Sequence, residues 1–201
     1  AGWAQRSFDV PLISGGIGMF SSTNEGFTFF QPVIAPVLAL PLGSHLLIES
    51  RADLRGLYQQ NDRTGPFHGS FNAALEYLQA DYIVNRRLTL TAGRFLTPFG
   101  TYNERLTPIW IRNLQDAPIL FAIGTRSSGS SDGIMLRGNL YRGARISVGN
   151  TAFFSANVAA GHFQAARAAG DRLELSLPGN GLEVGGSFER FLQSTPSETP
   201  H

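Results

Sequence analysis

The chain of 201 residues contains no cysteine, and so neither a disulfide framework nor a thiolate metal site is available to it. It contains no lysine either: every basic side chain is arginine. A compositional bias of the source genome accounts for this most simply. The functional alternative is that guanidinium groups bind carboxylate or phosphate as a planar fork. The 16 basic residues are balanced by 15 acidic ones, a net charge of +1 that offers no electrostatic case for nucleic acid. Long apolar runs are missing as well. The best, "VIAPVLALPL" at 33–42, is short and interrupted by Pro36 and Pro41, well below the ~18 residues of a membrane helix. If a membrane is crossed, helices do not cross it.

What is present is glycine, 23 residues of it, with 11 prolines and aromatics at 11%, the composition of an all-β chain rich in turns. The clearest strand is "HLLIESRADLRGLYQ" at 45–59. Leu46, Ile48, Ser50, Ala52, Leu54, Gly56 and Tyr58 fall on one face, and Glu49, Arg51, Asp53 and Arg55 fall on the other at period two. Ordinary strands run about 5 to 6 residues, whereas a tilted strand crossing a bilayer needs about 9 to 11. The pattern recurs at 133–142, 145–159, 171–177 and 181–192, where for example Leu173, Leu175 and Leu177 oppose Arg172, Glu174 and Ser176. Residues 70–84 alternate less cleanly, which reads as a β-bulge near Tyr77 and Leu78. Residues 88–97 show the same slip at Gly93. Residues 27–40 are apolar on both parities and carry Pro32 and Pro36, which reads as an edge or irregular strand.

The connections differ in length in a regular way. Those at 41–44, 85–87, 142–144 and 178–181 are tight, with Asn180-Gly181 a strong hairpin signal. Those at 60–69, 98–131 and 161–169 are longer. Short turns on one rim and long loops on the other are the habit of bacterial outer-membrane barrels. With a first strand near 8–20 the count reaches nine. Because single-chain barrels of this kind have an even number, we expect the N-terminal part of a larger barrel; a miscounted first strand would restore eight. The expected fold class is thus an all-β, antiparallel, up-and-down transmembrane barrel, incomplete. It would occupy residues 8–193, after a signal-peptide remnant and N-terminal segment at 1–7 and before a polar tail at 194–201. Small residues Gly2 and Ala4 carry the signal-peptide reading.

One stretch fits neither period. "RFLTPFGTYNERLTPIWIRNLQDAPIL" at 94–120 is too long for an ordinary connection and too rich in Tyr102, Ile109, Trp110 and Ile111 for disorder. It must pack somewhere.

Here a resemblance enters. "LEYLQADYIVNRRLTLTAGRFLTPFGTYNERLTPIWIRNLQDAPIL" at 75–120 resembles a segment of bacterial outer-membrane porins related to the phosphate-selective porin family, and "LEVGGSFERFL" at 182–192 resembles a later strand of the same proteins. The similarity runs from about residue 27 to 192 and is most specific at "AGRFLTPFG" and "PIWIRNLQ". It implies a water-filled antiparallel barrel in the bacterial outer membrane, narrowed by loops that fold inward, with no cofactor and often a homotrimer. It implies also that residues 98–131 form a constriction loop. Tyr102, Ile109 and Trp110 would pin that loop while Arg105 and Arg112 reach into water. A lysine-lined phosphate site does not carry over to a chain without lysine.

The expected function is passive, anion-preferring diffusion of small polar solutes. The partners would be outer-membrane lipid and the solutes themselves. Arg51, Arg55, Arg94, Arg105, Arg112 and Arg137 form a candidate anion-attracting ladder, with Tyr102, Glu104 and Asp116 at the constriction and Glu49 and Asp53 as lumen carboxylates. The plainer account is that these arginines pair with Glu49, Asp53, Glu104 and Asp116 and stabilise a polar interior. Alternatives to the porin are a non-conducting structural outer-membrane barrel and a soluble β-sandwich or lipocalin-like binding module. A hydrolase is a further alternative, since "GSSDG" at 129–133 matches G-x-S-x-G with Ser131 in the nucleophile place; but that motif needs a strand before it and a helix after it, and here a loop precedes a strand. His45, His68, His162 and His201 are dispersed without zinc-ligand spacing, and no enzymatic activity is expected.

Overall fold

The computed structural model describes residues 10–24, 26–60, 65–106, 129–143, 145–158, 165–177, 179 and 181–192. Nine strands follow one another as β1 (Leu12–Asn24), β2 (Phe27–Leu42), β3 (Leu46–Gln60), β4 (Phe67–Asn85), β5 (Leu88–Leu96), β6 (Ser130–Arg142), β7 (Ser147–Val158), β8 (Ala165–Leu177) and β9 (Leu182–Phe191). They form one antiparallel sheet in which every strand pairs with its sequence neighbours, β1 and β9 being the edges. The fold is therefore an all-β up-and-down wall that does not close, as an incomplete barrel requires. Strands of 13 to 19 residues at β1 to β4 exceed what a globular core uses. Among the described residues no helix is long and apolar enough to cross a membrane.

The two faces of the sheet differ in chemistry. One carries Ile17, Phe71, Ile134, Leu136, Leu173 and Phe188, all exposed, Ile17 at 84% and Phe188 at 67%. The other carries Glu49, Arg51, Asp53 and Arg55 on β3, Gln79 and Asp81 on β4, Arg137 on β6, Thr151 on β7, and Arg172 and Glu174 on β8, brought side by side by the register. We call the first face outer and the second inner. An exposed apolar surface spanning nine strands is far larger than a soluble monomer shows. The inner face is not wholly polar: Phe95, fully buried, meets Met135 and Phe153, with the two rings 6.5 Å apart and edge to face. The Phe153 ring lies over Gly170, where a β-carbon would come within 2.4 Å of it.

Three local readings are corrected or sharpened. The bulge expected near Tyr77 lies one residue away. Arg51 pairs with Tyr77 while Ala52 pairs with Leu75, leaving Glu76 as the extra residue. At Gly93 there is no register slip, for the ladders to β4 and β6 run through it unbroken. The backbone is unusual there instead: φ is +121°, and a β-carbon would sit 2.5 Å from the Leu78 carbonyl oxygen. β2 is not an edge, since β1 covers its other side. Its paired residues on β3 skip Pro32 and Pro36 without losing register, while the ladder to β1 is continuous. The missing N–H groups therefore cost bonds on one side only.

The rims follow the expected alternation with one exception. The connections after β2, β4, β6 and β8 are short and share one rim, and the strand ends at Gln60 and Phe67, Leu96 and Ser130, and Val158 and Ala165, which the longer connections join, share the opposite one. The β1–β2 turn on that second rim is tight too. The signal-remnant segment, Ile109, Trp110, Ile111, Arg112, Asp116, His162, His201 and the polar tail from 194 lie outside the described residues, as does the side chain of Arg105.

Candidate constriction site

Residues 97–106 leave β5 and fold across the inner face. Thr97 and Pro98 are buried, and the Thr97 amide donates to the Gly129 carbonyl at 3.0 Å while its hydroxyl meets that of Ser131 at 2.8 Å. Buried Asn103 donates from Nδ2 to the Thr97 carbonyl at 3.2 Å, closing the segment on itself. Gly100, at φ +61°, turns the chain. Its N–H donates to Ser187 Oγ on β9 at 2.9 Å, and its carbonyl accepts from Arg172 on β8 at 2.9 Å. A single π-helical turn, Tyr102–Leu106, then presents Glu104. Such turns are rare and recur at functional sites.

Glu104 is the centre of the site. One carboxylate oxygen accepts from Arg137 on β6, and the other accepts from Arg172 Nη1 at 2.5 Å. Arg172, with its side chain 6% exposed, also reaches Glu174 at 2.6 Å. One side chain thus ties the inward segment to two strands that β7 separates. The tie is strong because a carboxylate between two guanidinium groups makes charge-assisted bonds at both oxygens. Beneath it lies a hollow of about 440 Å³ whose lining includes Glu49 on β3, Tyr77 and Gln79 on β4, Thr89 on β5, Arg137 on β6 and Glu174 on β8. A single hollow lined by so many consecutive strands means that the sheet curls around it.

A second cluster holds Arg51. The bulge lets both Glu76 and Tyr77 reach it: Glu76 forms an ion pair with its Nε, and the Tyr77 ring lies 5.3 Å from the guanidinium carbon. Arg55 pairs with Asp53 at 2.5 Å. Glu49 accepts a long bond from Gln79 at 3.5 Å.

The residues anticipated from the sequence thus divide into three groups. Arg51, Arg55, Glu49, Asp53, Glu104 and Arg137 share the inner face, and Tyr102 lies half-buried in the segment that crosses it. Arg112, Asp116 and the side chain of Arg105 lie outside the described residues. Arg94 is elsewhere: it faces outward, on the face that carries Leu90 and Ile134, in a two-bond fork with Asp132 at 2.8 and 2.9 Å. The physical reason is the unbroken ladder at Gly93, which keeps Thr91 and Phe95 inward and sends Arg94 to the opposite side. Of the four carboxylates weighed as partners, Asp53 takes Arg55 and Glu104 takes Arg137, whereas Arg51 takes Glu76 and Arg94 takes Asp132. Arg172, the most connected arginine of the site, was not singled out; its alternation with Leu173 was visible, but two of its three partners lie 68 and 72 positions away.

Ser131 lies within β6 on the inner face with its hydroxyl on Thr97, not at a strand-to-helix turn. Among the described residues no group of three or more His, Cys, Asp or Glu side chains is placed to hold a metal ion. Comparison with protein-family models finds no match, and comparison with curated proteins likewise finds none.

Proposed function

We propose that this chain forms the wall and the inward constriction of an outer-membrane porin that passes small polar solutes by passive diffusion, with a preference for anions. The observation that carries the reading is the sorting of the two faces. Apolar side chains point out along nine consecutive strands, and ionised side chains point in around a curled hollow narrowed by residues 97–106. In a bilayer a β-sheet satisfies its backbone once it is closed into a barrel with an apolar surface toward lipid, and these nine strands have the face sorting of such a barrel's wall.

Aromatic rings near both rims of the outer face support a membrane position. Phe30 stacks on Tyr58 at 4.8 Å with Phe67 edge-on at 5.2 Å on the long-loop side, and Tyr82 and Tyr141 stand exposed on the tight-turn side. Between Leu46, paired with Tyr82, and Tyr58, β3 advances about 40 Å, or about 30 Å of height at a tilt of about 40°, close to an apolar band of about 25 Å with its flanking girdles. Lipocalin-like modules place apolar side chains inside instead. The anion preference rests on the arginines of the inner face.

One observation favours a second reading, a structural barrel that conducts nothing: Arg51, Arg55, Arg137 and Arg172 all have carboxylate partners. Reconstitution of the closed barrel of which this wall is part into planar bilayers decides between them. Discrete ion-conducting steps are expected. Membrane insertion without conductance would assign the structural role, and failure to insert at all would refute both.

A further inference from the structure

The outer face carries charge in only one of its halves. Among the described residues, β1 to β4 present no Asp, Glu or Arg outward, whereas β5 to β9 present Arg94, Asp132, Arg167, Asp171 and Arg190. Charged side chains on a surface that meets lipid are costly near the bilayer centre and nearly free at its edges, so each needs an explanation.

Three of the five are satisfied within the sheet. Arg94 and Asp132 form their fork. Asp171 accepts Asn150 Nδ2 at both oxygens, at 2.8 and 2.9 Å. Arg167 and Arg190 remain, both exposed and with no acidic partner among the described residues. They are close together. Ala169 pairs with Arg190, so Arg167, two positions earlier on β8, is its diagonal neighbour, at about 7 to 8 Å between α-carbons. Two guanidinium groups at that spacing repel each other unless an anion lies between them.

Their level on the wall says which anion. Arg167 lies ten positions along β8 from Leu177 at the tight-turn rim, about 34 Å of strand and about 25 Å of height at a tilt of about 40°, which is the far edge of an apolar band of that thickness. Arg190 lies eight positions along β9 from Leu182, about 20 Å up by the same measure. An arginine side chain there extends its stem along apolar surface and its head into the headgroup layer.

We infer that Arg167 and Arg190 form a clamp for the phosphate of a lipid headgroup in the leaflet on the long-loop side, held by two guanidinium forks. The inference rests on the porin reading, since it takes the outer face to meet lipid. Asp171, diagonal to Arg190 on its other side, has both carboxylate oxygens engaged by Asn150 Nδ2.

The test reconstitutes the protein in nanodiscs of phosphatidylcholine doped with a minority of phosphatidic acid, and mass spectrometry quantifies the lipid retained after detergent exchange. The wild type should enrich phosphatidic acid. Arg167→Gln with Arg190→Gln should lower the enrichment about thirtyfold, at about fivefold per arginine. Arg167→Lys with Arg190→Lys keeps the charge and should retain most of it, which guards against a merely misfolded variant. Equal enrichment in wild type and the Gln variant would overturn the clamp. So would efficient cross-linking between copies through a cysteine placed by Arg167→Cys, clean in a chain with no other cysteine, since that would make the surface a subunit interface. Conductance in planar bilayers is read in parallel: a protein that conducts without enriching phosphatidic acid loses the clamp and keeps the porin reading, while one that does not insert loses both.

Discussion

Glu104→Gln isolates the electrostatic role of the inward segment. The substitution keeps the length of the side chain and an oxygen that can still accept a hydrogen bond, but it removes the charge that Arg137 and Arg172 share. Arg172 keeps Glu174 and the Gly100 carbonyl, so the segment should stay in place. Arg137 loses its carboxylate partner while its side chain is 48% exposed to the hollow. Its charge becomes available to passing ions. At about 5 to 6 Å in water a unit charge acts on a monovalent ion with about 0.7 kcal/mol, reduced to about 0.4 kcal/mol at 0.1 M salt by a Debye length of about 10 Å. The sign is opposite for anion and cation, so the preference for anions should rise by about 0.8 kcal/mol, or about fourfold.

The assay is the reversal potential across a salt gradient in planar bilayers, which should move toward the anion equilibrium value. At 1 M salt, with a Debye length of about 3 Å, the change should shrink below about 1.5-fold. Arg137→Gln should move the potential the other way, and the double variant should return close to wild type. An unchanged potential at 0.1 M salt would remove Glu104 from the passage. A shift equally large at 1 M would mean that the segment has moved rather than changed its charge.

Other outcomes follow from the same geometry. Leu173→Arg, on the outer face, should lower stability in lipid by about 2 to 4 kcal/mol, while Ser176→Arg on the inner face of the same strand should cost far less; denaturant unfolding in vesicles gives both values, and equal costs would contradict the assignment of faces. Phe95→Ala removes the fully buried ring between Met135 and Phe153 and should cost about 3 to 5 kcal/mol by the same measurement. Gly170→Ala sets a methyl group against the Phe153 ring and should cost about 1 to 3 kcal/mol, with Phe153→Leu relieving part of it. With its outer face bare of lipid the chain should require detergent, and recovery as a stable soluble monomer by light scattering would refute the membrane reading.

How far the sequence could be read depended on how far apart the interacting residues lie. The strands at β3, β8 and β9 were legible because a period of two is local: Leu173 and Leu175 announce their face without reference to anything else. The bulge in β4 was legible for the same reason, as a break in parity, and its displacement by one residue reflects that Glu76 and Tyr77 both turn inward toward Arg51. β2 misled because a proline's missing donor was weighed as if both neighbours needed it, when the ladder to β1 tolerates it.

Arg94 misled more deeply. Gly93 suggested a slip, and the partner that holds Arg94 outward, Asp132, lies 38 positions on. Leu140 hid a real one: the register shifts between Asn139 and Tyr141, which turns Tyr141 from the polar parity to the outer face. Glu104, Arg172, Gly100 and Ser187 meet only because four consecutive antiparallel pairings bring β9 within reach of a loop that leaves β5. No window along the chain contains that constellation. What local pattern could supply was the reason for it, since a segment carrying Arg, Glu and Tyr between two strands that are apolar on one face has nowhere to put them except the polar face of the sheet.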